Sequence, residues 1–382
     1  MNTPGALTTL RAHTRELDAT RATQALRSAL DADSASAVLL FCSGGYDLRR
    51  LGPAIASAFR GPVLACTAAG QIGPGGFERG GMTGLSLRCS DLSMEPHLLS
   101  PLSLCQSQAV SIARQHAARA QRRPGLRSFG VLLVDGVSMW EEFVAAALYE
   151  SLGNVPLVGG SAGAGVAGGD VAVYHAGRFY EGAGVIGLFE TSTLDFTTFT
   201  VQHFVPGPKK LVITLADPDR RVVYEINGEP AATAYARALE VDEATLNERH
   251  FACYPLLLDL GELLLPRAIR ARNPDGSLLL ACAIEEGLVV SIPERTDPIA
   301  TLEAVLDDVA ARLPPPDALL VFDCVARRTE LETLGIDNQV GSLLARRGAV
   351  GFNGYGEQLG PMHTNHTLTG IALGASGQKG RH

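Results

Sequence analysis

The 382-residue sequence has no apolar run approaching the ~20 residues that a bilayer-spanning helix requires; the longest candidate, Tyr254 to Leu260, is broken by Asp259, Gly261 and Glu262. Residues 1–30 are charged throughout and contain no continuous apolar stretch, so they read as a surface helical segment rather than a signal peptide, and the expected location is cytoplasmic with no membrane partner. Cysteine is sparse and unpatterned. Its seven positions (42, 66, 89, 105, 253, 282 and 324) include no C-x-x-C, which argues against a zinc ribbon, a disulfide framework and covalent c-type haem. Basic clusters are missing too: 32 Lys and Arg face 40 Asp and Glu, a net charge of -8, and no Lys/Arg-dense block offers a footprint for nucleic acid. No G-x-x-x-x-G-K-[ST] occurs, so a phosphate-cradling P-loop is unsupported.

What the sequence does have is apolar content and glycine. Hydrophobic residues make up 46% and charged residues 19%, enough for a large core, and the length suggests two domains at ~150 residues each. Forty-two glycines gather after apolar runs, which suggests loops lined by backbone. One pattern occurs three times. The first copy runs from Ala37 to Cys42 as a strand, turns through Ser43 to Asp47, continues as a helix to about Phe59 and returns as the strand Val63 to Cys66 before Thr67-Ala-Ala-Gly70. The second has strands at Phe129 to Val134 and Pro156 to Val158 around a helix from Trp140 to Leu152, then Gly159-Gly160-Ser161-Ala-Gly163. The third has strands at Ala318 to Phe322 and Ala349 to Phe352, a helix ending near Arg347, then Asn353-Gly-Tyr355-Gly-Glu357.

Each copy is followed by a further β-type run, at 83–87, 184–189 and 367–373, giving a β-α-β-β unit and an α/β fold of mixed sheets flanked by helices. A crossover helix makes the first two strands of a unit parallel, so the loops after both lie at the carboxyl edge of the sheet, where open α/β sheets bind ligands. The competing expectation is that the glycines make tight turns between packed layers. Residues 193–313 differ in character: paired strands about Asp217-Pro-Asp219, a helix from Pro230 to Leu239 and strand-like runs at 263–270, 278–284 and 288–292. We therefore divide the chain into 1–30, a domain at 31–195 and a domain at 196–382, with the last unit able to pack on the first two. Pro314-Pro-Pro316 marks the passage into the third copy.

Two motifs match by letter and lack the right context. Gly163-Ala-Gly165-Val-Ala-Gly168 satisfies G-x-G-x-x-G, but a strand-like segment at Val171 to Tyr174 follows where a dinucleotide site needs a helix. Gly159-Gly-Ser161-Ala-Gly163 satisfies the nucleophile elbow of a hydrolase, with Asp170 and His175 nearby in sequence, again without the following helix. His363 and His366 form H-x-x-H with no third ligand at metal-site spacing.

In combination, Cys66 to Ile72, Leu133 to Gly136, Pro156 to Gly163, Tyr174 to Arg178, Glu225 to Pro230, Cys282 to Leu288, Gly354 to Glu357 and Asn365 to Gly370 resemble the successive landmarks of the FIST family, in order and over nearly the whole chain. The resemblance implies a bacterial sensory module that binds a small ligand, not a catalyst. As a chain without a fused kinase or cyclase it further resembles the nitric-oxide-sensing NosP subgroup, which implies haem b and control of a histidine kinase or a cyclic-di-GMP signalling partner, and is compatible with a homodimer. His366 departs from the pattern, since relatives more often have Gln after the Asn.

A haem sensor needs an axial donor, an apolar slot and partners for the propionates. His175 is the expected iron ligand, with Arg178 across the turn for a propionate and the Gly159-Gly160-Ser161 loop allowing close approach; His203 and His363 follow, and a thiolate at Cys42 or Cys66 is a further option. The alternative keeps the family but replaces haem with a small amino-acid-like ligand held by loop backbone and by Cys66, Thr67, Arg267, Tyr355, Glu357 and Asn365. A third reading is a Ser161 hydrolase.

Overall fold

The computed structural model describes residues 6–165, 168–261, 263–313 and 316–375. Val166 and Ala167 of the G-x-G-x-x-G stretch, and Pro314 and Pro315, lie outside them. Three six-stranded mixed sheets form a ring, one for each copy of the repeat. In the first, Ala37–Ser43 and Val63–Ala68 pair in parallel, and Met82–Arg88 returns antiparallel to Ala37–Ser43. The same arrangement recurs with Arg127–Asp135, Leu157–Ala162 and Gly184–Thr191, and with Ala318–Cys324, Ala349–Gly354 and Leu368–Ala375. The expected α/β units are present.

Each unit is longer than β-α-β-β. A strand precedes it on the sheet's edge (Thr8–Thr14, Ser93–Leu99, Leu194–Val201), followed by a helix (Ala19–Ala29, Cys105–Arg122, Pro298–Arg312). The expectation of a helical segment over 1–30 is corrected here. Thr8–Thr14 is a strand paired with Met82–Arg88, and the helix begins only at Ala19, where the Asp18 carboxylate accepts from the Arg21 amide. In the third unit the crossover is two helices, Val325–Thr333 and Asp337–Arg346.

Between its second and last core strands every unit makes a hairpin, and every hairpin joins a neighbour's sheet. Gly70–Gly73 and Gly76–Glu78 extend the third sheet, pairing Gln71 with Phe352; Val173–His175 and Arg178–Tyr180 extend the first, pairing Val173 with Cys66; Glu357–Leu359 and Met362–Thr364 extend the second, pairing Glu357 with Gly160. The exchange is cyclic, so the three units form one body.

The inner faces of the three sheets share one core. Phe41, Phe322 and Phe352 meet in it with ring centroids 4.9 Å (Phe41–Phe352) and 5.6 Å (Phe322–Phe352) apart. Helices cover the outer faces, building a separate apolar cluster on each sheet. Burial on both faces is why the core strands read as continuous apolar runs rather than alternating ones.

Residues 202–297 are inserted between the third unit's first strand and its helix. They form a further, eight-stranded sheet from Lys210–Asp217, Val222–Ile226, Glu229–Pro230, Leu256–Asp259, Leu264–Arg267, Ile269–Arg272, Leu278–Leu280 and Val289–Ser291, with the helices Ala231–Leu239 and Glu248–Cys253. The paired strands and the helix expected in this region are observed. The cut placed at 195 falls inside Leu194–Val201, the first strand of the third unit, and the second lobe is this insertion.

Candidate functional site

The loops after the second core strands meet at the centre of the ring and close a circle of backbone hydrogen bonds. The Ala69 amide donates to Asn353 O at 2.9 Å, Gly163 to Thr67 O at 3.1 Å, and Tyr355 to Ser161 O at 3.1 Å. Such close approach needs glycine: a Cβ on Gly136 would fall 2.3 Å from Ala162 O, and one on Gly354 2.4 Å from Ser161 O.

The inserted sheet covers this rim, and a cleft of about 410 Å3 lies between them. The ring contributes Ala69, Gly136, Ala164, Gly165 and Tyr355, together with the first turn of Val325–Thr333; the insertion contributes Glu248, Phe251, Ile269 and Arg270. Tyr355 Oη donates to Ala164 O at 3.0 Å, and Thr329 Oγ1 to Val325 O at 3.0 Å. Glu248 and Arg270 are exposed and form no ion pair among the described residues. The cleft therefore presents one free carboxylate, one free guanidinium, a narrow backbone rim and an apolar patch of Phe251 and Ile269.

Of the residues expected to bind a ligand or cofactor, Tyr355 alone is among the described residues that line the cleft. Glu357 and Asn365 lie beneath it: Glu357 Oε2 accepts from the Thr367 hydroxyl at 2.6 Å, and Asn365 Nδ2 donates to Tyr355 O at 3.5 Å. Burial pushes the Glu357 carboxyl well above the usual range. Arg267 is at the boundary of ring and insertion, its guanidinium 3.5 Å from Cys282 Sγ. His363 is buried with Nδ1 3.2 Å from Gln358 Nε2 and its ring packed on Gly356, where a Cβ would fall 2.2 Å from Cε1.

The other expectations are corrected. Gly159, Gly160 and Ser161 belong to a strand, not a ligand loop. A Cβ on Gly159 would meet Leu132 O at 1.9 Å, and one on Gly160 the Phe352 ring at 2.7 Å, so these glycines serve packing. Ser161 is fully buried, and its Oγ accepts from Gln358 Nε2 of the exchanged hairpin at 2.8 Å. It faces neither a base nor solvent, which removes the hydrolase reading. Thr67 does the same work in the first unit, its Oγ1 accepting from the Ala172 amide at 3.0 Å. Cys66 and Cys42 are buried core thiols, that of Cys42 pushed up to about 12 by burial, so neither offers a thiolate.

His175 is carried away from the cleft. Its strand runs antiparallel to Val63–Ala68, with Val173 opposite Cys66 and Tyr174 opposite Ala65, so each step from Val173 leads toward the amino end of the sheet. The turn at Gly177 packs on Gly52 of the helix Leu48–Ala58, and His175 comes within electrostatic reach of His97. Burial holds the His175 imidazole below its usual range. Arg178 is exposed beside Asp170 and Glu181. His203 is buried, its Nε2 2.9 Å from Glu330 Oε2. Sequence reading missed Glu248 and Arg270: both stand in ordinary amphipathic segments with no motif around them.

Residues 36–229 match the family model for the FIST N domain, and residues 231–360 that for the FIST C domain. The chain belongs to the FIST family. FIST domains are associated with signal transduction and the sensing of small ligands. In this FIST protein the two matches meet inside the inserted sheet, between Val222–Ile226 and Ala231–Leu239, so each includes part of the ring and part of the insertion. No curated protein matches the chain. Among the described residues no helix is long and apolar enough to cross a membrane, and no group of three or more His, Cys, Asp or Glu is placed to hold a metal ion.

Proposed function

We propose that this FIST protein senses a small zwitterionic, amino-acid-like ligand in the cleft between ring and insertion, and passes the signal to a partner protein without catalysing a reaction. The observation that supports it is the pairing of the free guanidinium of Arg270 with the free carboxylate of Glu248 on the wall facing the glycine rim. Arg270 would take the ligand carboxylate, Glu248 its ammonium group, and Phe251 with Ile269 an aliphatic side chain. Because ring and insertion both contact the ligand, binding favours their closed arrangement, and a partner that distinguishes closed from open reads the signal. A histidine kinase or a cyclic-di-GMP enzyme is the partner class we infer. The cytoplasm is the inferred compartment, in keeping with seven buried cysteines that form no disulfide.

The residues around the cleft do not fit haem. Among the described residues no imidazole lines it; burial, followed by the nearby Glu357, pushes the Cys324 thiol well above its usual range, and the Tyr355 phenol is engaged with Ala164 O. His175, the expected axial ligand, belongs to the hairpin that leads away. Calorimetric titration of the full chain with the twenty amino acids tests the proposal. Saturable binding of a subset is expected, lost in Arg270→Ala and in Glu248→Ala. Absence of binding across the set, together with a stoichiometric Soret band on haem addition that disappears in His175→Ala, would establish the haem reading instead.

A further inference from the structure

The third unit departs from the other two at its carboxyl edge. Register places Asp323 opposite Asn353, where the first unit has Cys42 opposite Thr67 and the second Val134 opposite Ser161. A fully buried acid thus stands where the other units are apolar or weakly polar. Asp323 Oδ2 accepts from Asn353 Nδ2 at 2.9 Å, and Oδ1 accepts from Arg327 Nη1 at 2.7 Å.

Among the described residues Arg327 has the largest fully buried side chain. Asp323 engages one of its nitrogens and leaves the opposite edge, Nε with Nη2, buried and without a partner. A buried guanidinium edge left unpaired is costly, and its two parallel N–H groups match the two oxygens of a planar oxyanion. Neither nearby glutamate reaches it: Glu330 is shared between His203 and Arg295, and Glu357 is bonded to Thr367 through Oε2. Glu357 Oε1, Asn365 Oδ1 and both ring nitrogens of His366 are likewise buried and without a partner. His366 is within electrostatic reach of Arg327 and adopts a left-handed backbone at φ 54°, a strained geometry for a non-glycine residue that recurs at binding sites. Cys324, which lines the cleft, separates it from this interior, and its thiol meets the Glu357 carboxyl.

We propose that the Nε–Nη2 edge of Arg327 is a binding site for a small planar oxyanion of the carboxylate class, reached from the cleft past Cys324 and completed by an N–H of His366. Asp323 orients the guanidinium and leaves its bidentate edge for the ligand. This site is separate from the Arg270 and Glu248 pair of the cleft.

The test is thermal unfolding and calorimetry of the full chain with sodium formate, acetate or nitrate against chloride at equal ionic strength. A saturable rise in Tm with the planar oxyanions and none with chloride is expected. Arg327→Lys keeps the charge and loses the parallel N–H pair, so it should weaken formate binding at least tenfold, while Arg270→Ala should leave it within twofold. Formate binding retained in Arg270→Ala alongside lost amino-acid binding separates this site from the cleft. An equal response of the wild-type chain to formate and chloride, or undiminished formate binding by Arg327→Lys, overturns the proposal. Should Arg327→Lys not fold, the wild-type comparison of formate with chloride decides alone.

Discussion

Arg221 of the inserted sheet is buried against Glu141 of the ring, Nη2 to Oε2 at 2.5 Å. The same nitrogen meets Glu142, while Nη1 donates to Ala281 O at 2.8 Å, and Glu142 Oε1 accepts from the Ala283 amide at 3.0 Å. The cleft exists because these bonds hold the insertion over the rim. Removing one partner of a buried pair leaves the other charge uncompensated, so Arg221→Ala should lower stability by about 3–5 kcal/mol, read by urea unfolding. A change below about 1 kcal/mol would show that the pair does not fasten the interface.

The strand glycines offer a second measurement. A Cβ at Gly159 would fall 1.9 Å from Leu132 O, whereas a Cβ at Gly125 meets nothing within 4 Å. Gly159→Ala must push two core strands apart and should cost about 3 kcal/mol or more. Gly125→Ala suffers only its left-handed backbone (φ 84°), about 1 kcal/mol. Comparable denaturation midpoints for the two variants would refute the packing role.

Ser161 is expected to be a structural anchor. Ser161→Ala removes the acceptor for Gln358 Nε2 and should destabilise by about 1–3 kcal/mol. A fluorophosphonate probe should leave the wild-type serine unlabelled; stoichiometric labelling at Ser161 would contradict its place inside the strand.

His366 makes stability depend on pH. Burial, the largest effect, brings the imidazole from 6.5 down to about 4; Arg327, Arg295 and His203 push the same way, and Glu330 opposes them. Between those values the unfolded chain takes up a proton that the folded chain refuses, so stability is full above about 6.5 and falls as pH drops toward about 4. The shift corresponds to about 3 kcal/mol. In His366→Gln the slope of unfolding free energy between pH 5 and 6.5 should flatten, and an unchanged slope would assign it to other groups.

The legibility of this FIST protein from its sequence was uneven. Three copies of a strand-helix-strand pattern, and strands apolar on both faces, are local properties, and they survived into the structure at Ala37–Ser43, Arg127–Asp135 and Ala318–Cys324. The carboxyl edge as the place where the glycine loops gather followed from the handedness of the crossover. Tyr355 was found for that reason. His175 lies away from the cleft because its hairpin crosses to the first sheet and runs backward along Val63–Ala68, a pairing that nothing in its own segment announces.

By itself the sequence determined the units, their two-sided burial and the family, because these depend on residue periodicity and on motifs within a few dozen positions. Only the tertiary structure decided which sheet each hairpin joins, that residues 202–297 close over the rim, and that Arg270 and Glu248 face one cleft. Those outcomes depend on pairing between distant strands and on buried contacts such as Arg221 with Glu141, whose partners are 80 positions apart and carry no local signature.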